Sequence, residues 1–440
     1  MRSLVLALTL AVALIAAAGC ARPAQEDTDG YRRAALKAAS WLQANALERP
    51  EGTVWAADPQ DSTTVTTNLY SGSSGVVLFF LEAYRATGQP AYLDQARAGA
   101  DYLLATLPDS LEEGQSGLYT GVAGLGFVLE ETYRATGEAN YHDGALRCVD
   151  LIKKTAQPTE HGVTWSGVTD IVSGSAGTGL FLLYAAERIG HPDAMDLAVQ
   201  AGRKLVAQRI AETDGAKWAM FPTFPRLMPN FSHGTAGVAY FLVELHRATG
   251  KATFLDAALE GAAYLRSETT DDGLLFHHEP EGEDLFYLSW CHGPPGTARL
   301  YYRLWQVTHD EAWMEEIHQA ARGVMHTGIP DTLTEGFWNN VSPCCGSAGV
   351  AAFFHALYRI TEKPEYRDFA VHVTDNLLAR AHETVAGLSW IQAEHRVQPD
   401  LLIAQTGFMQ GAAGIGTWLL HFSESDHDAA KRITFPDSPW

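Results

Sequence analysis

One short pattern recurs seven times along the 440 residues, and it limits what the chain can become more than any other feature. It reads SGSSGVVLFF from Ser71, TGVAGLGFVL from Thr120, SGSAGTGLFL from Ser173, HGTAGVAYFL from His233, HGPPGTARLY from His292, CGSAGVAAFF from Cys345 and QGAAGIGTWL from Gln410. The first glycines are Gly72, Gly121, Gly174, Gly234, Gly293, Gly346 and Gly411, spaced by 49, 53, 60, 59, 53 and 65 residues. A period of this size marks a repeat architecture, in which each unit buries its apolar face only by stacking on its neighbours.

Every unit follows the same order. After the second glycine comes an apolar helix such as VVLFFLEAYRAT, LGFVLEETYRAT or VAYFLVELHRAT. It stops at Gly88, Gly137, Gly190 or Gly250, each placed to adopt φ > 0 just past a helix end. An amphipathic helix follows, as in AYLDQARAGADYLLATL from Ala91 or NYHDGALRCVDLIKKTA from Asn140, with apolar residues at three- and four-residue steps. The first unit draws its outer helix from YRRAALKAASWLQANAL, starting at Tyr31. Each repeat is thus an outer helix, a long loop, a Gly-x-x-Gly turn and an inner helix that is apolar nearly all round.

An open solenoid of such units needs polar caps at both ends, yet the seventh inner helix, IGTWLLHFSE, is as apolar as the middle ones. The expected fold is therefore all-α: a closed (α/α)7 toroid of seven helical hairpins, forming one domain over residues 31–440. Five loops carry Gly and Trp (GTVW, GVTW, GAKW, GFW and GLSW) and are expected to form short β-hairpins at one end of the ring.

The first residues, MRSLVLALTLAVALIAAAGCARP, combine a basic start at Arg2, an apolar run from Leu4 to Ala18 and small residues before Cys20. This reads as a signal peptide over 1–19, too short to span a bilayer, followed by a linker over 20–30. Cys20 stands where a lipoprotein is acylated. The expected location is the cell envelope, with the membrane reached only through that lipid. Formal net charge is −21 and no basic block occurs, which argues against nucleic-acid binding.

Five cysteines are too few for a disulfide framework in an exported chain of this length. Cys20 belongs to the signal junction, and Cys148 sits within an outer helix as a core thiol. The other three converge. Cys291 and Cys344 both stand two positions before the first glycine of a unit, in neighbouring units, and Cys345 is adjacent. Cys344 and Cys345 are poorly placed to bond each other, because adjacent α-carbons sit about 3.8 Å apart. Three convergent thiols suit one Zn²⁺ per chain with an open fourth position. A Cys291–Cys344 disulfide is the alternative, and it leaves Cys345 unexplained. Trp290 and His292 flank the first ligand. His292 could supply a fourth donor.

With these residues in view, the chain after the signal resembles the lanthionine synthetase C family. The shared features are the seven Gly-x-x-Gly turns, Trp290-Cys291-His292-Gly293 for the family's Trp-Cys-x-Gly, and Cys344-Cys345-Gly346 for its Cys-His-Gly. The resemblance implies an α/α toroid holding zinc through Cys291, Cys344 and Cys345. It implies an enzyme that adds a cysteine thiol of a peptide to a dehydroamino acid, closing a thioether ring. It also assigns acid/base roles to His233 and to Asp170 of DIVSG. A separate dehydratase would act on the peptide first. Cys345 replaces a histidine ligand, as in the family's three-cysteine subgroup. Tyr287 stands where the family often has arginine, and His292 replaces a tyrosine. Zinc removes the proton of a coordinated thiol, and a third thiolate in place of histidine makes the bound substrate sulfur more electron-rich.

Two other classes compete. An exported carbohydrate-active toroid would use Trp55, Trp165, Trp218, Trp338 and Trp390 for sugar stacking and draw a carboxylate pair from Glu279, Glu281 and Glu394. A zinc-stabilised scaffold would bind a peptide or small thiol without turning it over.

Overall fold

The second glycine of every repeat has no room for a side chain. A Cβ there would meet the backbone carbonyl oxygen six residues upstream, at separations from 2.8 Å at Gly75 (Leu69) to 1.8 Å at Gly414 (Phe408). The loop entering each inner helix therefore lies flat against that helix's first turn. These glycines serve close approach rather than unusual dihedrals, since none has positive φ.

The computed structural model describes residues 28–424 and 431–440, so the signal segment and Cys20 lie outside the described residues. The helices form seven outer and inner pairs: α1 (Thr28–Ala44) with α2 (Ser73–Thr87), α3 (Pro90–Ala105) with α4 (Val122–Thr136), α5 (Ala139–Thr155) with α6 (Ser175–Tyr184), α7 (Ala194–Gln208) with α8 (Thr235–Thr249), α9 (Ala252–Glu268) with α10 (Pro294–Thr308), α11 (Ala312–His326) with α12 (Ser347–Thr361), and α13 (Pro364–Ala379) with α14 (Ala412–Phe422). Each inner helix packs on the next, and α14 packs on α2, which closes the ring. The α1 helix begins at Thr28, three residues before Tyr31, so the segment taken as a linker ends earlier than its sequence suggests. Gly88, Gly137, Gly190 and Gly250 take left-handed φ as expected, and His309 and Glu362 fill that place in the fifth and sixth units.

A belt of backbone hydrogen bonds also closes the mouth of the ring. Tyr70 N donates to Tyr119 O (2.9 Å), Tyr119 N to Val172 O (2.9 Å), Ile171 N to Ser232 O (3.3 Å) and Ser232 N to Cys291 O (2.8 Å). Cys291 N then donates to Cys344 O (3.0 Å), Cys344 N to Met409 O (2.9 Å), and Met409 N to Tyr70 O (2.9 Å). In six units the donor stands two residues before the first glycine. In the third it is Ile171, one residue earlier.

Four of the five Gly-Trp loops are antiparallel hairpins: β1 (Leu47–Arg49) with β2 (Gly52–Val54), β3 (Gln157–Thr159) with β4 (Gly162–Thr164), β5 (Ile210–Glu212) with β6 (Gly215–Lys217), and β9 (His382–Thr384) with β10 (Gly387–Ser389). The GFW loop is different. Its β8 (Phe337–Trp338) pairs in parallel with β7 (Phe286–Tyr287) of the previous unit, because no second strand precedes it locally. A further hairpin, β11 (Ile391–Ala393) with β12 (Leu402–Ala404), overhangs the mouth.

The hairpin tryptophans are structural. Trp55, Trp165, Trp218 and Trp390 are buried, and each indole Nε1 donates to an outer-helix carbonyl thirteen residues upstream: Leu42, Ile152, Leu205 and Leu377. None offers a face for a sugar ring. No helix among the described residues is long and apolar enough to cross a membrane.

Residues 431–440 run inside the ring. Ile433 N donates to Glu82 Oε1 of α2 at 2.7 Å, Phe435 packs on Phe127 of α4 and on Phe408, and Trp440 packs on Tyr302 of α10 and Phe353 of α12. Helices on different sides of a ring share one partner only if that partner occupies the lumen. A cavity of about 510 Å³ remains between this tail and α10, α12 and α14.

Candidate metal centre

Cys291 and Cys344 are consecutive links of the backbone belt, which brings their side chains to one point on the mouth. Cys291 Sγ lies 3.2 Å from Cys345 Sγ, and Cys345 Sγ lies 3.4 Å from Cys344 Sγ. All three sulfurs fall within 4.8 Å of one another, and all three residues are buried. Each of the four described cysteines is a free thiol, so the Cys291–Cys344 disulfide is not formed in this structure.

Sulfurs bonded tetrahedrally to zinc at ~2.3 Å stand roughly 3.8 Å apart. The observed cluster needs an opening of only a few tenths of an ångström at its two short edges. The donor set fits a soft divalent metal. Burial pushes the Cys291 and Cys344 thiols upward in pKa, whereas hydrogen bonds from Cys291 and then Cys344 hold Cys345 well below the usual thiol range.

Other mouth residues surround the thiols. The Tyr70 hydroxyl donates to Cys344 Sγ at 3.1 Å, and Gln410 Nε2 donates to the Tyr70 oxygen at 2.9 Å. Tyr70 stands two before its first glycine, the position of Cys291 and Cys344, so the repeat register alone could have found it. A pocket of about 250 Å³ opens above the thiols, lined by His233, His277, Tyr287, Trp338 and the 394–397 segment among others. Burial raises the Tyr287 hydroxyl's pKa, and the nearby Arg396 of that segment partly offsets this. Burial and the neighbouring His278 and Arg396 push His277 down to about 3, so it is a neutral ring.

Asp170 and His233, to which the family resemblance assigns acid/base roles, meet across neighbouring repeats. Asp170 is fully buried, and its Oδ1 accepts Ser173 N–H and Gly174 N–H at 2.8 Å each. Its Oδ2 lies 2.6 Å from His233 Nδ1. The carboxylate thus holds the Nδ1–H tautomer and leaves Nε2 as the ring nitrogen available to the pocket. His233 lines the pocket and Asp170 does not, so Asp170 acts through His233. His292 is turned away from metal binding: Nδ1 faces Asn230 Oδ1 at 2.5 Å and Nε2 faces Ser232 Oγ at 3.4 Å. Of the three glutamates considered for a sugar-cleaving pair, Glu394 lines the pocket and Glu279 is tied to Lys217.

A closed seven-hairpin α/α toroid with three buried thiols converging at its mouth is the class of protein that the fold and the site define. The chain belongs to the lanthionine synthetase C-like protein family, whose model matches residues 63–436. It is 25% identical over 135 residues to Glutathione S-transferase LANCL1 of Danio rerio, a match spanning 31% of each chain. Among solved structures it is similar in fold to nisin cyclase, with a TM-score of 0.64 and 14% identity over 92% of this chain and 96% of that one.

Proposed function

We propose that this protein is a zinc-dependent thioether-forming enzyme, adding a peptide or small-molecule thiol to a dehydroamino acid. The observation that carries the reading is the meeting of three buried thiols and an Asp170-oriented His233 around one pocket. Cys291, Cys344 and Cys345 would hold the ion, and zinc there would supply a thiol kept deprotonated at neutral pH.

The chain's own residues do the rest. The pocket, at about 250 Å³, has room for a side chain or two beside the thiols and His233. Sulfur adds to the β-carbon of the dehydroamino acid, the double-bond electrons move towards the α-carbon and its carbonyl, and one proton must reach the α-carbon. Thiol S–H and C=C are consumed and C–S and Cα–H are formed, with no oxidant and no leaving group. His233 Nε2 is the proton donor that the geometry offers. Asp170 orients its ring, and a positioned general acid is typically worth about 10²–10⁴-fold in rate.

The test is a dehydroalanine peptide bearing a free cysteine, incubated with purified protein and followed by loss of thiol. Thioether formation that stops on zinc chelation and returns with zinc supports the reading. A native protein that holds zinc yet leaves every thiol free across varied peptides and small thiols would establish the binding scaffold instead. Export with acylation at Cys20, and a single domain over 31–440, belong to the same proposal. Metabolic labelling with a fatty-acid analogue, lost in Cys20→Ser, checks the anchor. Limited proteolysis that releases an independently folded half would refute the single domain.

A further inference from the structure

We propose that Asp437, in the tail that fills the ring, is a positioning residue for the metal centre and acts through the indole of Trp290. The proposal rests on the three-thiol site holding a metal. Asp437 is fully buried. Its Oδ2 accepts Trp290 Nε1–H at 3.1 Å and the Tyr119 hydroxyl at 3.1 Å. Arg299 of α10 pairs with the same oxygen at 3.2 Å and donates to the Asp437 carbonyl at 2.8 Å. A carboxylate inside the ring is thus balanced by one guanidinium at Oδ2, which also takes Trp290 and Tyr119, while the buried Oδ1 has no hydrogen-bond partner among the described residues.

Trp290 immediately precedes the ligand Cys291. Its ring is wedged against Tyr119 (centroids 5.0 Å apart) and Phe231 (5.9 Å). Its carbonyl oxygen lies where a Cβ on Gly296 would come within 2.1 Å, so the backbone there is confined. Cys291 is held on one side by the belt, through its N–H and C=O. On the lumen side it is held by the Trp290 indole, whose one hydrogen-bond acceptor among the described residues is Asp437. A hydrogen bond to an ionised acceptor is about twice as strong as a neutral one. Loss of it frees the indole to turn, and the turn is passed through one peptide bond to the direction of Cys291 Sγ. Outer-shell partners of this kind typically change metal affinity by about 10–100-fold.

The contact joins residues 147 apart in sequence, so the tail must be seated in the lumen for it to form. Phe435 stacks on Tyr119 and so reaches the same cluster, whereas the ring contacts of Trp440 are to residues other than Trp290 and Tyr119. Trp440 packs on Tyr302 and Phe353 and serves as the comparison.

The experiment measures zinc affinity by chelator competition, together with the thiolate charge-transfer absorption of the cobalt(II)-substituted protein. Full-length native protein is compared with Asp437→Asn, Trp290→Phe, the double variant and Trp440→Ala. The expected result is a ~10–100-fold weaker zinc affinity and a shifted cobalt band in each of the first two. The double variant should be no weaker than the weaker single, because one contact is removed twice. Trp440→Ala should bind zinc as the native protein does, even if it melts earlier. Native affinity and an unshifted band in folded Trp290→Phe overturn the proposal, whatever Asp437→Asn does. Additive losses in the double variant, or an equal loss in Trp440→Ala, overturn it as well. A native protein that takes up no metal overturns the metal reading of the three thiols and this inference with it.

Discussion

Asp170 and His233, from neighbouring repeats, meet at 2.6 Å between Oδ2 and Nδ1, while the other oxygen of the same carboxylate is held by two backbone N–H groups of its own turn. The imidazole is therefore aimed by the fold rather than by substrate.

Asp170→Asn keeps the shape of that contact and removes its charge. An amide must present its NH₂ either to the turn, whose N–H groups cannot accept it, or to His233, which accepts it at Nδ1 only by moving its ring proton to Nε2, the wrong tautomer. The rate of thioether formation at saturating peptide should fall about 10²–10⁴-fold, with zinc content unchanged. The Asp170→Asn/His233→Ala double variant should be no slower than His233→Ala alone. Independent, multiplying losses would show that the two residues act separately.

Elemental analysis of the purified protein should give close to one zinc per chain. Cys344→Ala, Cys291→Ala and Cys345→Ala should each lose it, whereas Cys148→Ala, deep in α5 and away from the mouth, should keep it. Zinc retained in all three ligand variants would exclude the site.

Gly177→Ala should lower stability by roughly 1–3 kcal/mol or more, because its Cβ would sit 1.9 Å from the Ile171 carbonyl oxygen and backbone must move. Gly114→Ala meets nothing within 4 Å and pays only for its left-handed φ of 84°, about 1–2 kcal/mol. Thermal unfolding of the two variants should separate steric contact from dihedral preference. A Gly177→Ala variant that melts no earlier than the native protein would count against the close-approach account.

Glu82 links the ring to its tail. Burial opposes its charge, but His421, Arg85 and the Ile433 N–H more than offset this and hold it at about 2, against 4.5 for an ordinary glutamate. A depressed acid stabilises the fold fully above about pH 4.5 and loses that contribution as pH falls towards 2. The amount is on the order of 3 kcal/mol. Urea unfolding between pH 3 and 6, with chelator present throughout, should show stability rising with pH in the native protein and a flatter dependence in Glu82→Gln. Parallel curves would mean the charge is unimportant.

The Gly-x-x-Gly register made the ring and the convergence of Cys291, Cys344 and Cys345 legible, because both follow from position within a repeat. The same register held Tyr70 in plain view. It misled at the GFW loop, where Trp338 pairs with the preceding unit's Tyr287 in parallel rather than folding back on its own strand. A hairpin needs two strands close in sequence, and a single aromatic signature does not report whether the second exists.

By itself the sequence determined what repeats: outer and inner helices, glycines where backbone meets backbone, and thiols at equivalent places on adjacent hairpins. Each depends on neighbours a few residues away or one period away, so periodicity carries it. The tertiary structure alone decided what does not repeat. It turned the His292 nitrogens onto Asn230 and Ser232, placed Arg396 over Tyr287, and seated the tail so that Asp437 reaches Trp290. Such contacts join segments with no shared pattern, and they exist only after the ring has closed and created the mouth and lumen that these side chains enter.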